Sequence, residues 1–288
     1  MAHYPVLLEE VEQHLEIEAD GTYVDCTLGA AGYAERILTQ LTTGRLIAID
    51  RDESAIEAAR KKLERFEEKV TFYHGSFGEI EQAAGEQAQL AGVVADLGFS
   101  RTQIEDAERG FSFRSEGPLD MRFDRRQELT AADIVNHYDE KRLADLLYEL
   151  GGERRSRRIA GAIVRGRPIY DSARLAGIVE KAVPRSPRVK IHPATKTFQA
   201  LRIAVNDELG QLDKLLQVAP PLLKPGGRMV VVSFHSLEDG RVKRAFRDWG
   251  RSEGFERLTR RAVKPTEDEI RRNASSRSAR LRALGRER

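Results

Sequence analysis

Apolar and polar positions along the 288 residues fall into two interleaved patterns. Short aliphatic runs, Tyr23-Val24-Asp25-Cys26, Leu46-Ile47-Ala48-Ile49-Asp50, Val70-Thr71-Phe72-Tyr73 and Ala91-Gly92-Val93-Val94-Ala95-Asp96, alternate with stretches of helical period at 53–66 and 77–89. Strands that alternate with helices in this way predict βαβ units, hence an α/β fold built on a doubly wound parallel sheet. The pattern breaks near Gln103. From 105 to 193 no strand pattern occurs, and helical signals replace it: Thr130-Ala131-Ala132-Asp133 has the form of an N-cap with an acid at N3. Leu143, Leu146, Leu147 and Leu150 share one helix face before Gly151-Gly152, and 172–183 repeats the theme. The sheet pattern resumes with a long helix carrying Phe198, Leu201, Val205, Leu209, Leu212 and Leu216. A breaker at Lys224-Pro225-Gly226-Gly227 and the strand Met229–Phe234 follow. Residues 1–105 and 196–288 are therefore expected to form the sheet domain, and 106–195 an inserted helical lobe that binds substrate. From about Pro265 the chain is polar and serine-rich, so the basic tail 271–288 is expected to be mobile when nothing is bound.

The turn after the first strand, Gly29-Ala30-Ala31-Gly32-Tyr33, and Asp50 at the end of the second strand add chemistry. In an open parallel sheet the carboxyl ends of the strands border a crevice. Amides of the turn face a ligand there, and Asp50 is placed to accept ribose hydroxyls. An adenosine-containing cofactor follows. Gly29, Ala31 and Ala34 also fit a relaxed dinucleotide pattern, so a nicotinamide dinucleotide remains open at this point, beside S-adenosylmethionine, whose methionine end is commonly served by an acid such as Asp25.

Net charge, only +2, conceals a division. Residues 1–100 hold 8 Lys+Arg against 19 Asp+Glu, and the remainder 40 against 27. Residues 151–174 carry seven arginines against Glu153 and Asp171. A polyanion bound by the later segments is the expectation, because phosphate binding is driven by Lys and Arg; solvated helix faces are the alternative. The single cysteine, Cys26, precludes an internal disulfide. The start lacks a signal-peptide pattern, and no apolar stretch approaches the ~20 residues of a membrane span. A cytoplasmic protein without a membrane segment is expected, and its oligomeric state is left open.

Six strings then acquire a common meaning: His3-Tyr4-Pro5-Val6-Leu7-Leu8, Asp96-Leu97-Gly98, Ala107–Phe113, Gly117–Arg122, His192–Ile203 and Ser233–Asp239. Together they resemble the bacterial 16S rRNA cytosine-N4 methyltransferases, in order and over both lobes. The resemblance implies a Rossmann-like class I S-adenosylmethionine-dependent methyltransferase sheet with an inserted helical domain. It also implies methylation of the exocyclic N4 amine of one cytidine in the decoding region, with 16S rRNA or the small ribosomal subunit as partner. Carried over, the cofactor residues are Gly29, Ala31, Gly32 and Tyr33 in the turn, Asp25, Asp50 on the ribose, Phe77 near the adenine, Asp96 and Gln103. Each has a plainer alternative: Gly32 as a close-packing residue, Phe77 as core, Gln103 as a cap. The chain departs from the family at Ala30, Ala31 and Tyr33, where a glycine-rich loop ending in His is usual. It departs again at Phe99, Ser100 and Arg101, where valine and paired serines are usual, and at Ala274, Ser275 and Ser276, where Pro-Arg-Ala is.

A cytosine amine is a poor nucleophile because its lone pair is delocalised, so an enzyme must align it and accept its N–H hydrogens. Asp96-Leu97-Gly98-Phe99 has the register of an acid-x-x-aromatic site, with Asp96 for the amine and Phe99 for stacking. The alternative is that Asp96 only positions the cofactor and Phe99 packs internally. His235, after the last strand of the pattern, is a candidate proton acceptor or a structural histidine. Asn206 and Asp120 are weaker candidates for holding the base. No Cys, His and carboxylate cluster has metal-ligand spacing. Arg154, Arg155, Arg157 and Arg158 on the lobe, with Arg277, Arg280 and Arg282 in the tail, are candidates for gripping RNA on both sides of the target. A ribosome-assembly factor that binds the same RNA with a non-catalytic cofactor pocket is the competing function.

Overall fold

The computed structural model describes residues 5–98, 103–104, 106–113, 116–183 and 192–288. They form two compact units, one from residues 1–98 and 209–288 and the other from 99–208. No helix among the described residues is long and apolar enough to cross a membrane.

The first unit is a seven-stranded sheet of β1 (Thr22–Asp25), β2 (Arg45–Asp50), β3 (Val70–His74), β4 (Leu90–Leu97), β5 (Leu223–Ser233), β6 (Phe255–Glu256) and β7 (Arg280–Arg286). Their order across the sheet is β3-β2-β1-β4-β5-β7-β6. The first five run parallel and β7 is antiparallel to β5. Near-continuous apolar strands are what a sheet covered on both faces requires. One face packs on α1 (Leu8–Leu15), α2 (Gly32–Gln40) and α3 (Glu53–Lys62) through Val11, Leu15, Ile37, Leu38 and Ile56. The other takes α4 (Ile80–Ala84), a helix at Glu208–Val218 and a helix at Ser236–Trp249 through Ile80, Leu212, Leu216, Val242 and Phe246. The breaker at 224–227 does not precede the strand but forms its irregular start, with Gly226 at φ +80° and a register shift opposite Leu90 and Gly92.

The second unit is helical: α5 (Ala131–His137), α6 (Glu140–Gly151), α7 (Ser156–Arg165), α8 (Ser172–Ala182) and α9 (Thr195–Asn206). Its own core joins Leu143, Leu147, Ile159, Ile163, Leu175 and Val179. Side-chain caps from Thr130, Asp139 and Asp171 start three of these helices. The long helix expected over 198–216 is two helices. Asp207 takes a left-handed conformation, φ 47° and ψ 39°, and separates α9 from α10 (Glu208–Val218). Phe198, Leu201 and Val205 of α9 belong to the helical core, whereas Leu209, Leu212 and Leu216 belong with the sheet. The units accordingly divide at 98 and 209, not at the 105 and 196 expected from the sequence.

The C-terminal expectation is corrected as well. Residues 280–286 are not a mobile tail but β7, inserted between β5 and β6. Leu281, Ala283 and Leu284 are fully buried, and Ser276 is too. After β5 the chain runs through α11 (Ser236–Trp249) and α12 (Glu267–Arg272) to reach that strand.

Candidate active site in the sheet unit

Three carboxylates stand at neighbouring strand ends: Asp25 on β1, Asp50 on β2 and Asp96 on β4. They come together because β1 pairs with both β2 and β4; β1 and β2 end on their acids, and Asp96 is the penultimate residue of β4. Asp25 is fully buried; its Oδ1 accepts from the Thr27 amide at 3.1 Å, while Oδ2 has no partner. Asp96 donates its amide to the Thr27 hydroxyl at 2.7 Å, and its Oδ1 is likewise buried without a partner. Asp50 accepts from the amides of Gly29 through Oδ2, at 2.8 Å, and of Asp52 through Oδ1, at 2.9 Å.

Burial pushes the Asp25 carboxyl up to about 7, with the negative charge of Asp50 adding to the effect against the hydrogen bond from Thr27. Burial pushes Asp96 up to about 8, helped by Asp25 and Glu238. Asp50 is raised by burial too, opposed by its two amide donors. Acids this close and this dry are costly unless a cation or hydrogen-bond donors arrive to compensate them. Unpaired buried oxygens on Asp25 and Asp96 therefore match a cationic ligand with N–H donors. An ammonium group meets that description, and the residual lone pairs of Asp50 match vicinal hydroxyls.

The turn from β1 to α2 is held from several sides. Gly29 has φ +45° and Ala31 φ +58°, so the chain passes twice through the left-handed region. Ala31 pays the steric cost of a Cβ there, yet is completely buried and donates its amide to Leu28 O at 2.6 Å. Lys62 on α3 donates to Ala30 O at 2.9 Å and Ala31 O at 3.3 Å. Gly32 lies against Pro5: a Cβ would come within 2.3 Å of that ring, so its lack of a side chain serves close packing. Tyr33 is buried in the core, its hydroxyl donating to Val6 O. Burial and the nearby charges of Asp96 and Asp25 hold that hydroxyl well above the usual phenol range. Tyr33 thus sits beside the acids while anchoring the segment 5–7, which Leu7 also ties to Glu269 Oε1 through its amide at 2.8 Å.

Other expected site residues separate into groups. Phe77, in the turn after β3, is half-buried and packs on the sheet core. Gln103 belongs to the helical unit, and Phe99 lies outside the described residues. His235 caps α11: its Nδ1 accepts from the Glu238 amide at 3.4 Å, while its buried Nε2 lies 3.0 Å from Glu238 Oε1 without forming a hydrogen bond. With Nδ1 engaged in that cap, the ring has a structural role at the start of α11. Asn206 and Asp120 do not hold a base. Asn206 binds Phe123 N at 2.8 Å and Met121 O at 2.7 Å, and Asp120 pairs with Arg122 at 2.8 Å.

Of the arginines, Arg154, Arg155, Arg157 and Arg158 are exposed at the start of α7, and Arg277 is exposed. Arg280 and Arg282 are committed instead to Asp239, at 2.8 Å each, and Arg282 is only 8 % exposed. That pairing corrects the expectation that Arg282 is available to RNA. Sequence reasoning missed Thr27, Lys62 and Glu238. Thr27 is adjacent to Asp25 and detectable as part of the same string, but nothing in the sequence links Lys62 to a turn thirty residues earlier.

The family model described as the MraW methylase family matches residues 1–287. A ribosomal RNA small subunit methyltransferase H of Solibacter usitatus is 50 % identical over 284 residues, covering 98 % of this chain and 99 % of that one. Its counterpart from Acidobacterium capsulatum is 50 % identical over 289 residues, covering 98 % and 97 %. Among solved structures, a putative rRNA-methylase from Clostridium thermocellum aligns with a TM-score of 0.51 at 11 % identity, over 99 % of this chain and 100 % of that one, a likeness of fold alone.

Proposed function

The chain belongs to the MraW methylase family, and from that premise we propose that it methylates the exocyclic N4 amine of one cytidine in the decoding region of 16S rRNA. The fold is that of class I S-adenosylmethionine-dependent methyltransferases, and S-adenosylmethionine is the cofactor. The observation that carries the catalytic reading is the pair of buried, unpartnered oxygens on Asp25 and Asp96. A protein that kept this pocket only as structure would gain by satisfying them.

When bound, the cofactor supplies the electrophilic methyl carbon. Asp25 faces the ammonium of its methionine end, and Asp50 accepts from the ribose hydroxyls while holding the Gly29 amide. Asp96 would accept an N–H of the cytosine amine, orient its nitrogen and take up the proton that the amine loses on methylation. Lys62 and Tyr33 order the turn and the segment packed on it, which would hold the Gly29 amide and Asp25 in place for the ligand.

Phosphate contacts fall to Arg154, Arg155, Arg157 and Arg158 of the helical unit and to Arg277 of the sheet unit. Four arginines crowd the N-terminus of α7, whose first turn has no acid. Positive charge at that end of a helix opposes the dipole by a few tenths of a kcal/mol or more per residue, a cost that a bound phosphate would reverse.

The test is transfer of tritiated methyl to small subunits from a strain lacking this activity, followed by nucleoside analysis. N4-methylated cytidine is expected. Label on carbon 5 or on ribose overturns the reaction type, and RNA binding without any label leaves the assembly-factor reading standing.

A further inference from the structure

At the end of the sheet opposite Asp25, Asp50 and Asp96 a second charged feature occurs. Arg247, Arg251, Arg257 and Arg260 line one cleft, with Phe255 in its wall and Glu256 and Glu287 as its acids. Its position follows from strand register. Phe255 pairs with Arg286, whereas Arg280 pairs with Ser233 at the carboxyl end of β5. The length of β7 separates the two ends by about 20 Å at ~3.4 Å per residue. Helix α11 covers the same distance, from His235 to Trp249.

Part of this charge has a local explanation. Arg247 lies 3.0 Å and Arg251 3.9 Å from Asp248, and basic groups suit the C-terminal end of α11. Both pairs are exposed, so they are worth little and give way readily to a stronger anion. Arg257 and Arg260 have neither explanation: they follow the helix, and no ion pair with a described residue holds them. Phe255 is only half-buried although its ring leans on Trp249 at 4.9 Å, and the indole N–H is fixed by Leu216 O at 2.9 Å. A partly exposed ring braced by Trp249, among guanidinium groups, can serve as a stacking platform with phosphate donors around it.

We infer that this cleft is a second binding site for RNA, taking a single-stranded segment of the rRNA substrate with phosphates on Arg257 and Arg260 and a base against Phe255. The inference rests on the function proposed above, and it assigns the cleft to docking the substrate, not to chemistry. Short RNA carrying only the target cytidine would not reach it. Intact 16S rRNA would.

The test compares the full chain with the Arg257→Glu/Arg260→Glu variant and with the milder Arg257→Gln/Arg260→Gln variant. Affinity for 16S rRNA and for small subunits is followed over a salt series, and cofactor affinity is measured by calorimetry. Loss of two phosphate contacts should lower the slope of log K against log salt by about 1.4, at ~0.7 per contact. KM for subunits should rise roughly tenfold or more with kcat and cofactor affinity unchanged, and Phe255→Ala should weaken binding without changing the slope. If the unaltered chain methylates rRNA and both variants match it in affinity and slope, the cleft is not an RNA site. If affinity falls for subunits but not for naked 16S rRNA, an acidic protein is the occupant and the inference also fails. An unaltered chain that neither binds nor methylates rRNA removes the proposed function, and this inference with it.

Discussion

Asp50 shows how one side chain can serve the ligand and the scaffold together. Its carboxylate fixes the turn through Gly29 and the start of α3 through Asp52, and it is also the candidate ribose acceptor. Asp50→Ala should weaken S-adenosylmethionine binding by about 1.5–3 kcal/mol, the range of charge-assisted hydrogen bonds, as read by calorimetry. Asp96→Asn keeps the shape of the site but removes its charge, and should slow single-turnover methyl transfer far more than Tyr33→Phe, which removes only the bond to Val6. Equal rates for the two variants at saturating cofactor would deny Asp96 its place at the amine. The raised carboxyls also set a pH dependence. Asp25 and Asp96 bind protons in the folded chain up to about 7 and 8, well above an unfolded aspartate, so between about pH 4 and 8 the folded state holds more protons. Stability of the cofactor-free protein should therefore fall as pH rises through that window. A cationic ligand favours the ionised acids, so its binding should release protons near neutrality. Thermal unfolding from pH 5 to 8 and calorimetry in buffers of different ionisation enthalpy measure the two effects.

At the level of elements, the buried pairing of Asp239 with Arg282 joins α11 to β7. Arg282→Ala would leave Asp239 with only the more exposed Arg280, and a cost of about 3–5 kcal/mol is expected, visible as a lower denaturation midpoint. Arg277→Ala, on an exposed side chain, should leave that midpoint unchanged. What was legible in the sequence follows the same division. β1, β2 and β4 announce themselves because a strand covered on both faces must be apolar throughout, and each carries at or next to its end the acid that marks the crevice. β7 does not. Leu281-Arg282-Ala283-Leu284 mixes burial with a charge whose partner, Asp239, is forty residues away in sequence. Helix periodicity found α9 and α10 but merged them, because a single left-handed Asp207 leaves no trace in an apolar repeat. The acids of the site were legible for their position at strand ends; Lys62 was not, because its role depends on how α3 packs against the turn.

Over the whole molecule, the charge division has a measurable meaning. The acidic first hundred residues contain the strand ends proposed to receive a cationic cofactor, and the basic remainder holds the arginines proposed for the phosphate contacts. Replacing Arg154, Arg155, Arg157 and Arg158 by alanine should lower the salt slope of rRNA binding by up to about 3 while sparing cofactor affinity. Cutting the chain at residue 279 is a different experiment. β7 is a central strand, and its removal would expose a whole edge of β5 and detach β6. The truncated protein should aggregate instead of binding RNA more weakly. The same strand also sets the timing of synthesis. The helical unit is contiguous in the chain and can fold as soon as residue 208 has been made. The sheet unit waits for its seven-residue strand β7, so the crevice with the three acids is completed only after residue 286 has been made, and a chain stopped between 208 and 280 would hold a finished helical unit and an open, adhesive sheet.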